Sequence, residues 1–129
     1  MDNLVCVYVI AHRNDDGWAG PCKIGLASDP KVRLTTLQSG NPRPIGLYGF
    51  VRTPDRVCAR AAEKYLHRSL KASRLHGEWF HVEPEIALQQ ASLFVCASAH
   101  WSGLDAGAAL EAAQELTIRC HSESVEASA

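Results

Sequence analysis

The 129-residue chain lacks the features that mark membrane, secreted and zinc-binding proteins. No apolar run approaches the roughly 20 residues that a membrane-spanning helix needs, and the longest near the start, residues 4–11, is only strand-sized. Residues 1–3 carry no positive charge of the kind that opens a signal peptide. The five cysteines are widely spaced and form no Cys-x-x-Cys pair, which argues against a disulfide framework or a zinc knuckle. We therefore expect a cytoplasmic protein in a reducing compartment.

Several motifs of well-known catalytic sites are also missing. The chain has no Gly-x-Gly-x-x-Gly, no P-loop, no Gly-x-Ser-x-Gly and no His-Glu-x-x-His, which argues against the usual dinucleotide, nucleotide, serine-hydrolase and zinc-protease sites. The composition is 47% hydrophobic, enough for one packed domain.

Charge is distributed very unevenly, although the net charge is only −1. Residues 23–74 hold eleven basic and three acidic residues, a formal charge of +8, and the flanking segments are acidic. Such asymmetry in a small chain favours a surface that faces a polyanion. A solvated basic helix face is the alternative on composition alone.

The apolar patterns predict an α+β fold in which the first strand is buried on both faces. We predict one domain over residues 1–100, followed by a C-terminal helical extension with an acidic tail over residues 101–129. The predicted strands cover residues 4–11, 22–27 (a hairpin with the first) and 45–51. The predicted helices cover residues 30–38 (capped by Ser28 or Asp29), 54–75 (capped by Thr53 and ended by Gly77), 85–99 and 105–119.

Three charged residues are unusual for positions that only build a core. Lys23 interrupts an apolar strand, and lysine is almost never buried without a partner. Arg33 shares a helix face with Leu37, at the edge of the predicted packing. Glu63 is the sole acid in a long basic helix beyond its first turn, where an ordinary intrahelical ion pair with Arg60, Lys64 or His67 is the simpler interpretation. Their joint occurrence favours a site.

The order of these motifs resembles the GIY-YIG nuclease superfamily. The similarity is closest to a branch found in phage DNA-binding proteins and in the meiotically-up-regulated-gene type. It covers about two-thirds of the chain and is carried by Val7-Tyr8, Lys23-Ile24-Gly25, Asp29-Pro30, Arg33-Leu34, Glu63-x-x-Leu66-His67 and Gly77-Glu78-Trp79-Phe80.

This resemblance implies a small three-stranded antiparallel sheet flanked by helices and a phosphodiester hydrolysis with one divalent metal, Mg²⁺ or Mn²⁺. By the same resemblance, Tyr8 would help to activate the attacking water and Lys23 would occupy the position of a second tyrosine. Arg33 would steady the scissile phosphate, and Glu63 would be the metal ligand. A single carboxylate can suffice because magnesium keeps most of its waters.

We therefore predict a metal-dependent endonuclease that acts on DNA, or on single-stranded DNA or RNA. Its phosphate contacts would come from the basic side chains of Lys31, Arg60, Lys64, His67, Arg68 and Lys71. One rival is a nucleic-acid-binding module on the same scaffold without catalysis. Another is a protein-interaction domain that docks through the alanine-rich residues 105–119.

Overall fold

The computed structural model describes residues 5–14, 17–53, 55–99 and 116–120. At its centre lies strand β1 (Val5–Asn14), whose side chains from Val5 to Ala11 are all buried. Alternate residues of this strand belong to two separate hydrophobic clusters, one on each face of the sheet. The prediction of a strand covered on both faces is confirmed.

The described residues form one antiparallel sheet with the strand order β4-β5-β2-β1-β3-β6. The predicted α+β class is confirmed, and the sheet is larger than the three strands expected. Short strands are added at both edges of the three long ones. In chain order, the strands are β1, β2 (Gly17–Ala27), β3 (Ile45–Thr53), β4 (Arg74–His76), β5 (Trp79–Phe80) and β6 (Thr117–Arg119).

Helices cover both faces of this sheet. Helix α1 (Pro30–Ser39) packs Leu34 and Leu37 against one face, as predicted. Helices α2 (Arg56–Ser69) and α3 (Pro84–Ala99) cover the opposite face through small and aliphatic side chains. Among the described residues, none of the helices combines the length and the apolar character that crossing a bilayer requires.

Helix α1 begins where the sequence places it. The carboxylate of Asp29 accepts a hydrogen bond from the backbone N–H of Val32 at 3.3 Å, and Pro30 occupies the first turn. Proline is favoured there because its missing N–H has no intrahelical partner to lose. This start fixes the direction of α1 and therefore the position of Arg33, one turn further on.

Helix α2 is shorter than the predicted span of residues 54–75. Its cap is Asp55, which accepts from the N–H of Cys58 at 2.8 Å, whereas the hydroxyl of Thr53 donates to the carbonyl of Val5. The helix ends at Ser69 and Leu70 turns into the core. Gly77, expected to end this helix, instead has a φ of +57° in the tight turn between β4 and β5.

The predicted helix over residues 105–119 is wrong at its C-terminal end. Thr117, Ile118 and Arg119 form strand β6 beside β3, and residues 105–115 lie outside the described part of the chain. β-branched residues suit a pleated edge, and β3 otherwise has no partner on that side among the described residues. The proposed domain boundary at residue 100 remains a prediction.

A network of polar side chains connects β6 to helix α3. Arg119 donates to both carboxylate oxygens of Glu85, at 3.0 and 2.6 Å, and the hydroxyl of Tyr48 donates to the same carboxylate at 2.5 Å. The hydrogen bond from Arg119 is the main reason that the pKa of Glu85 is lowered to about 2. The ionised carboxylate therefore stabilises the folded chain.

We expect this network to make folding sensitive to acid. The folded-state pKa of Glu85 lies below its ordinary value of 4.5, so its contribution is complete above about pH 4.5 and is lost as the pH falls towards 2. In urea unfolding between about pH 6 and pH 3, wild type should lose more folding free energy than Glu85→Gln, by up to about 1 kcal/mol. Equal losses in the two proteins would contradict this account.

Candidate functional site

An open pocket of about 460 Å³ lies where β1, β2, α1, α2 and the β4–β5 turn come together. Tyr8, Arg33 and Glu63, three of the four predicted catalytic residues, line it. Side chains from both helical layers therefore meet at this place. The lining residues are Tyr8, Leu26, Arg33, Arg56, Arg60, Glu63, Lys64 and Glu78.

The absence of a side chain at Gly25 makes room for the centre of this pocket. Gly25 pairs with Tyr8 across the β1–β2 ladder. A Cβ atom on Gly25 would lie 2.5 Å from the hydroxyl oxygen of Tyr8 and 3.0 Å from Oε1 of Glu78. Because Tyr8 is only 1% exposed, its ring has little freedom to move aside. The glycine therefore lets the hydroxyl and the carboxylate approach the same point.

Lys23 joins the site through an ion pair. Its Nζ lies 3.2 Å from Oε1 of Glu78 and 5.9 Å from the centre of the Trp79 ring. The lysine side chain is only 12% exposed, so the pairing explains how an ammonium group is accommodated in an apolar strand. The β4–β5 turn presents Glu78, and its carbonyl accepts from the backbone N–H of Ile24 at 3.1 Å. All four predicted catalytic residues thus belong to one constellation.

Glu63 lies beside two further groups that can bind a metal. One donor atom each from Glu63, His67 and Glu78 lie within 4.8 Å of one another, and all three side chains are half-buried. His67 follows Glu63 by one helical turn, so both project from the same face of α2. Two carboxylates and an imidazole are suitable ligands for a divalent cation. The donor set therefore fits the metal that the sequence predicts at Glu63.

The surroundings alter the acidity of the two central groups in this pocket. Burial and the neighbouring charge of Glu78 raise the pKa of Glu63, and His67 opposes this rise. Burial also raises the pKa of Tyr8, and the cation that opposes it through a hydrogen bond is Arg33. Lys23, in contrast, is paired with Glu78.

The predicted phosphate contacts lie at different distances from the pocket. Arg60 and Lys64 line it and are exposed. Lys31 lines a neighbouring pocket of about 560 Å³, and Arg52 also lines that pocket. His67 is turned inward, with its Nε2 bonded to the carbonyl of Ile24. Two further predicted contacts are exposed but line neither pocket, namely Arg68 and Lys71.

A comparison with protein families matches residues 5–95 to the T5orf172 domain. The matched stretch is well over half of the chain and contains every residue that lines the pocket. The chain belongs to the T5orf172 domain family. Domains of this family are phage-derived and nuclease-like or DNA-binding, which fits a nucleic-acid partner. Comparisons with curated proteins and with solved structures give no match.

The assignment to the T5orf172 domain corrects the resemblance drawn from the motifs. The sequence suggested the GIY-YIG nuclease superfamily, whereas the matched family is a distinct one. Short motifs such as Lys23-Ile24-Gly25 specify a local arrangement of charge and close packing. Such an arrangement can serve more than one family, so it does not identify the family by itself.

Two charged pocket residues of this T5orf172 domain are absent from the sites predicted from sequence. Glu78 lies 55 positions from its partner Lys23, and nothing in local periodicity shows that they meet. Arg56, at the start of α2, was assigned only to the general basic segment, although it lines the pocket. The turn sequence Gly77-Glu78 before two aromatic residues was the available signal for Glu78, because a tight turn holds a side chain at a fixed place.

We expect Gly25→Ala to disturb this T5orf172 domain at the pocket. The new methyl group would collide with the Tyr8 hydroxyl and displace it or Glu78, which should cost about 1–3 kcal/mol of folding free energy. Gly40→Ala is the matched control, because its nearest atom would be 4.0 Å away. Urea unfolding measures both variants. Equal stability of Gly25→Ala and wild type would show that the close approach of Tyr8 and Glu78 to Gly25 does not require a glycine.

We also expect Glu63→Gln to stabilise the metal-free domain slightly. The folded-state pKa of Glu63 is raised, so the ionised carboxylate is less favourable at pH 7 than in the unfolded chain. Thermal unfolding in chelator should show a Tm a few degrees above wild type at neutral pH, and a smaller difference below about pH 4.5. The exposed Glu83→Gln should leave Tm unchanged. A lower Tm for Glu63→Gln than for wild type at pH 7 would contradict the view that the ionised carboxylate of Glu63 destabilises the metal-free fold.

Proposed function

We propose that this T5orf172 domain is a metal-dependent endonuclease that hydrolyses DNA phosphodiester bonds. The observation that carries the proposal is the meeting of Tyr8, Arg33 and Glu63 in one pocket, with Lys23 joined to it through Glu78. A site that combines acids, cations and a buried hydroxyl has the groups that phosphate-ester chemistry requires. Membership of a nuclease-like or DNA-binding family agrees with this activity.

The cations of the pocket would bind and orient the substrate. Arg33 is exposed and lines the pocket together with Tyr8, so its guanidinium can contact a phosphate placed beside that hydroxyl. Arg60 and Lys64 extend the positive surface along α2 and would contact neighbouring phosphates. Contacts of this kind do not depend on base sequence, and salt weakens them strongly.

Glu63 would hold the divalent metal, Mg²⁺ or Mn²⁺, with His67 and Glu78 nearby. A bound metal supplies positive charge that stabilises the charge developing on the phosphate and on the leaving oxygen. The carboxylate of Glu63 would supply an oxygen ligand, and the ammonium of Lys23 keeps the carboxylate of Glu78 in place.

Tyr8 would position the attacking water. Burial raises the pKa of its hydroxyl, so the group is protonated near neutral pH and donates or accepts a hydrogen bond. The backbone of β1 and the packing of the ring fix this hydroxyl. Fixed placement of water against the phosphorus contributes to the rate because it removes an orientational cost.

We expect two pocket variants to lose cleavage and retain binding. Purified protein is incubated with supercoiled plasmid, single-stranded DNA or RNA, in Mg²⁺, Mn²⁺ or chelator. Wild type should cut in a metal-dependent manner, and Glu63→Gln and Arg33→Met should each reduce the rate by about 100-fold or more. Gel-shift assays at low salt should show that both variants still bind DNA, because most of the basic surface remains.

Matched controls remove equal charge away from the pocket. Arg43→Met and Glu83→Gln change exposed residues that do not line it, and both should cut like wild type. Binding without cleavage by wild type in both metals would contradict the endonuclease proposal and favour the binding module without catalysis. Failure of wild type to bind any of these polymers would contradict both.

A further inference from the structure

We propose that His67 and Glu78 join Glu63 as the three protein ligands of a divalent first-row transition-metal ion, so that Mn²⁺ binds more tightly than Mg²⁺. The inference deepens the proposed hydrolysis and rests on it for the use of the metal. Binding itself can be measured without any turnover.

The geometry of the three side chains is close to that of a metal centre. Their donor atoms lie within 4.8 Å of one another. Neighbouring ligands that each lie about 2.1 Å from one ion are about 3.0–3.4 Å apart, so the cluster needs a contraction of up to about 1.8 Å. Glu63 and Glu78 are half-buried side chains with three rotatable bonds each, and rotations about these bonds bring their carboxylates closer together.

The backbone of one residue, Ile24, forms hydrogen bonds with two of these ligand residues. The N–H of Ile24 donates to the backbone carbonyl of Glu78 at 3.1 Å, and the carbonyl of Ile24 accepts from Nε2 of His67 at 3.0 Å. A carbonyl only accepts, so Nε2 carries the proton in this contact and Nδ1 keeps a free lone pair in the neutral ring. A backbone carbonyl that orients an imidazole in this way is the usual support of a metal-binding histidine.

The ligand types determine the class of metal. Mg²⁺ prefers oxygen ligands and retains several waters, so it gains little from an imidazole. An imidazole nitrogen with two carboxylates suits first-row transition metals, whose affinity for nitrogen ligands is higher. Glu78 pairs with Lys23 through Oε1, and a carboxylate has about four lone-pair sites on its two oxygens. The carboxylate of Glu78 can therefore contact both the ammonium of Lys23 and a metal ion.

The test is a titration of the full chain with MnCl₂ alone and with MgCl₂ alone. Electron paramagnetic resonance counts free Mn²⁺, and calorimetry gives both affinities. Wild type should bind one Mn²⁺ at this site, at least about tenfold more tightly than Mg²⁺. His67→Gln places an amide near the Nε2 position and removes the Nδ1 ligand, and it should weaken Mn²⁺ binding about tenfold or more while changing Mg²⁺ affinity less. Glu78→Gln should weaken both metals.

His76→Gln is the matched control, because His76 is exposed on β4 and is not in the cluster. Circular dichroism shows whether each variant folds. Mn²⁺ binding that is unchanged in His67→Gln and Glu78→Gln, or a wild type that binds Mg²⁺ as tightly as Mn²⁺, would overturn the inference. Mn²⁺ binding by wild type without any cleavage would overturn the proposed function and leave this site intact.

Discussion

Strand β1 is apolar on both faces, so helices must cover both sides of the sheet before the chain can bury its core. Helix α1 covers one face, and α2 with α3 covers the other. The pocket lies where residues from these layers meet beside β2. Tyr8 is the residue of β1 whose polar atom reaches this pocket, because Gly25 on the neighbouring strand carries no side chain. The position of the site thus follows from the burial of one strand.

Charge in the pocket is organised around two acids surrounded by cations. Glu63 and Glu78 lie close together, and the negative charge of Glu78 adds to the effect of burial in raising the pKa of Glu63. Lys23 forms its ion pair with Glu78. Such an arrangement costs stability unless a ligand of positive charge completes it. The exposed cations on α1 and α2 add an outer positive rim that suits a phosphate chain. Acids inside and cations outside are what a metal-assisted reaction on a polyanion requires.

Local pattern was enough to predict the long elements. The two-sided apolar run of β1, its hairpin with β2, and the Asp29-Pro30 start of α1 were all predicted from sequence. The strands β4, β5 and β6 have two or three residues each, too few for an alternating pattern, and β5 and β6 also pair with strands distant in sequence. The resemblance that points to Tyr8, Lys23, Arg33 and Glu63 names the wrong family, yet the structure brings these four residues together. Glu78 needed the fold, since its partner Lys23 is distant in sequence.

We propose that one site in this domain binds both a divalent metal and a nucleic-acid phosphate. Anomalous diffraction from crystals grown with Mn²⁺ and a DNA oligonucleotide tests it most directly. We expect one strong manganese peak in contact with the carboxylate of Glu63, with a phosphate of the DNA beside the guanidinium of Arg33. A manganese peak elsewhere, or DNA bound on a surface away from Tyr8 and Arg33, would contradict it.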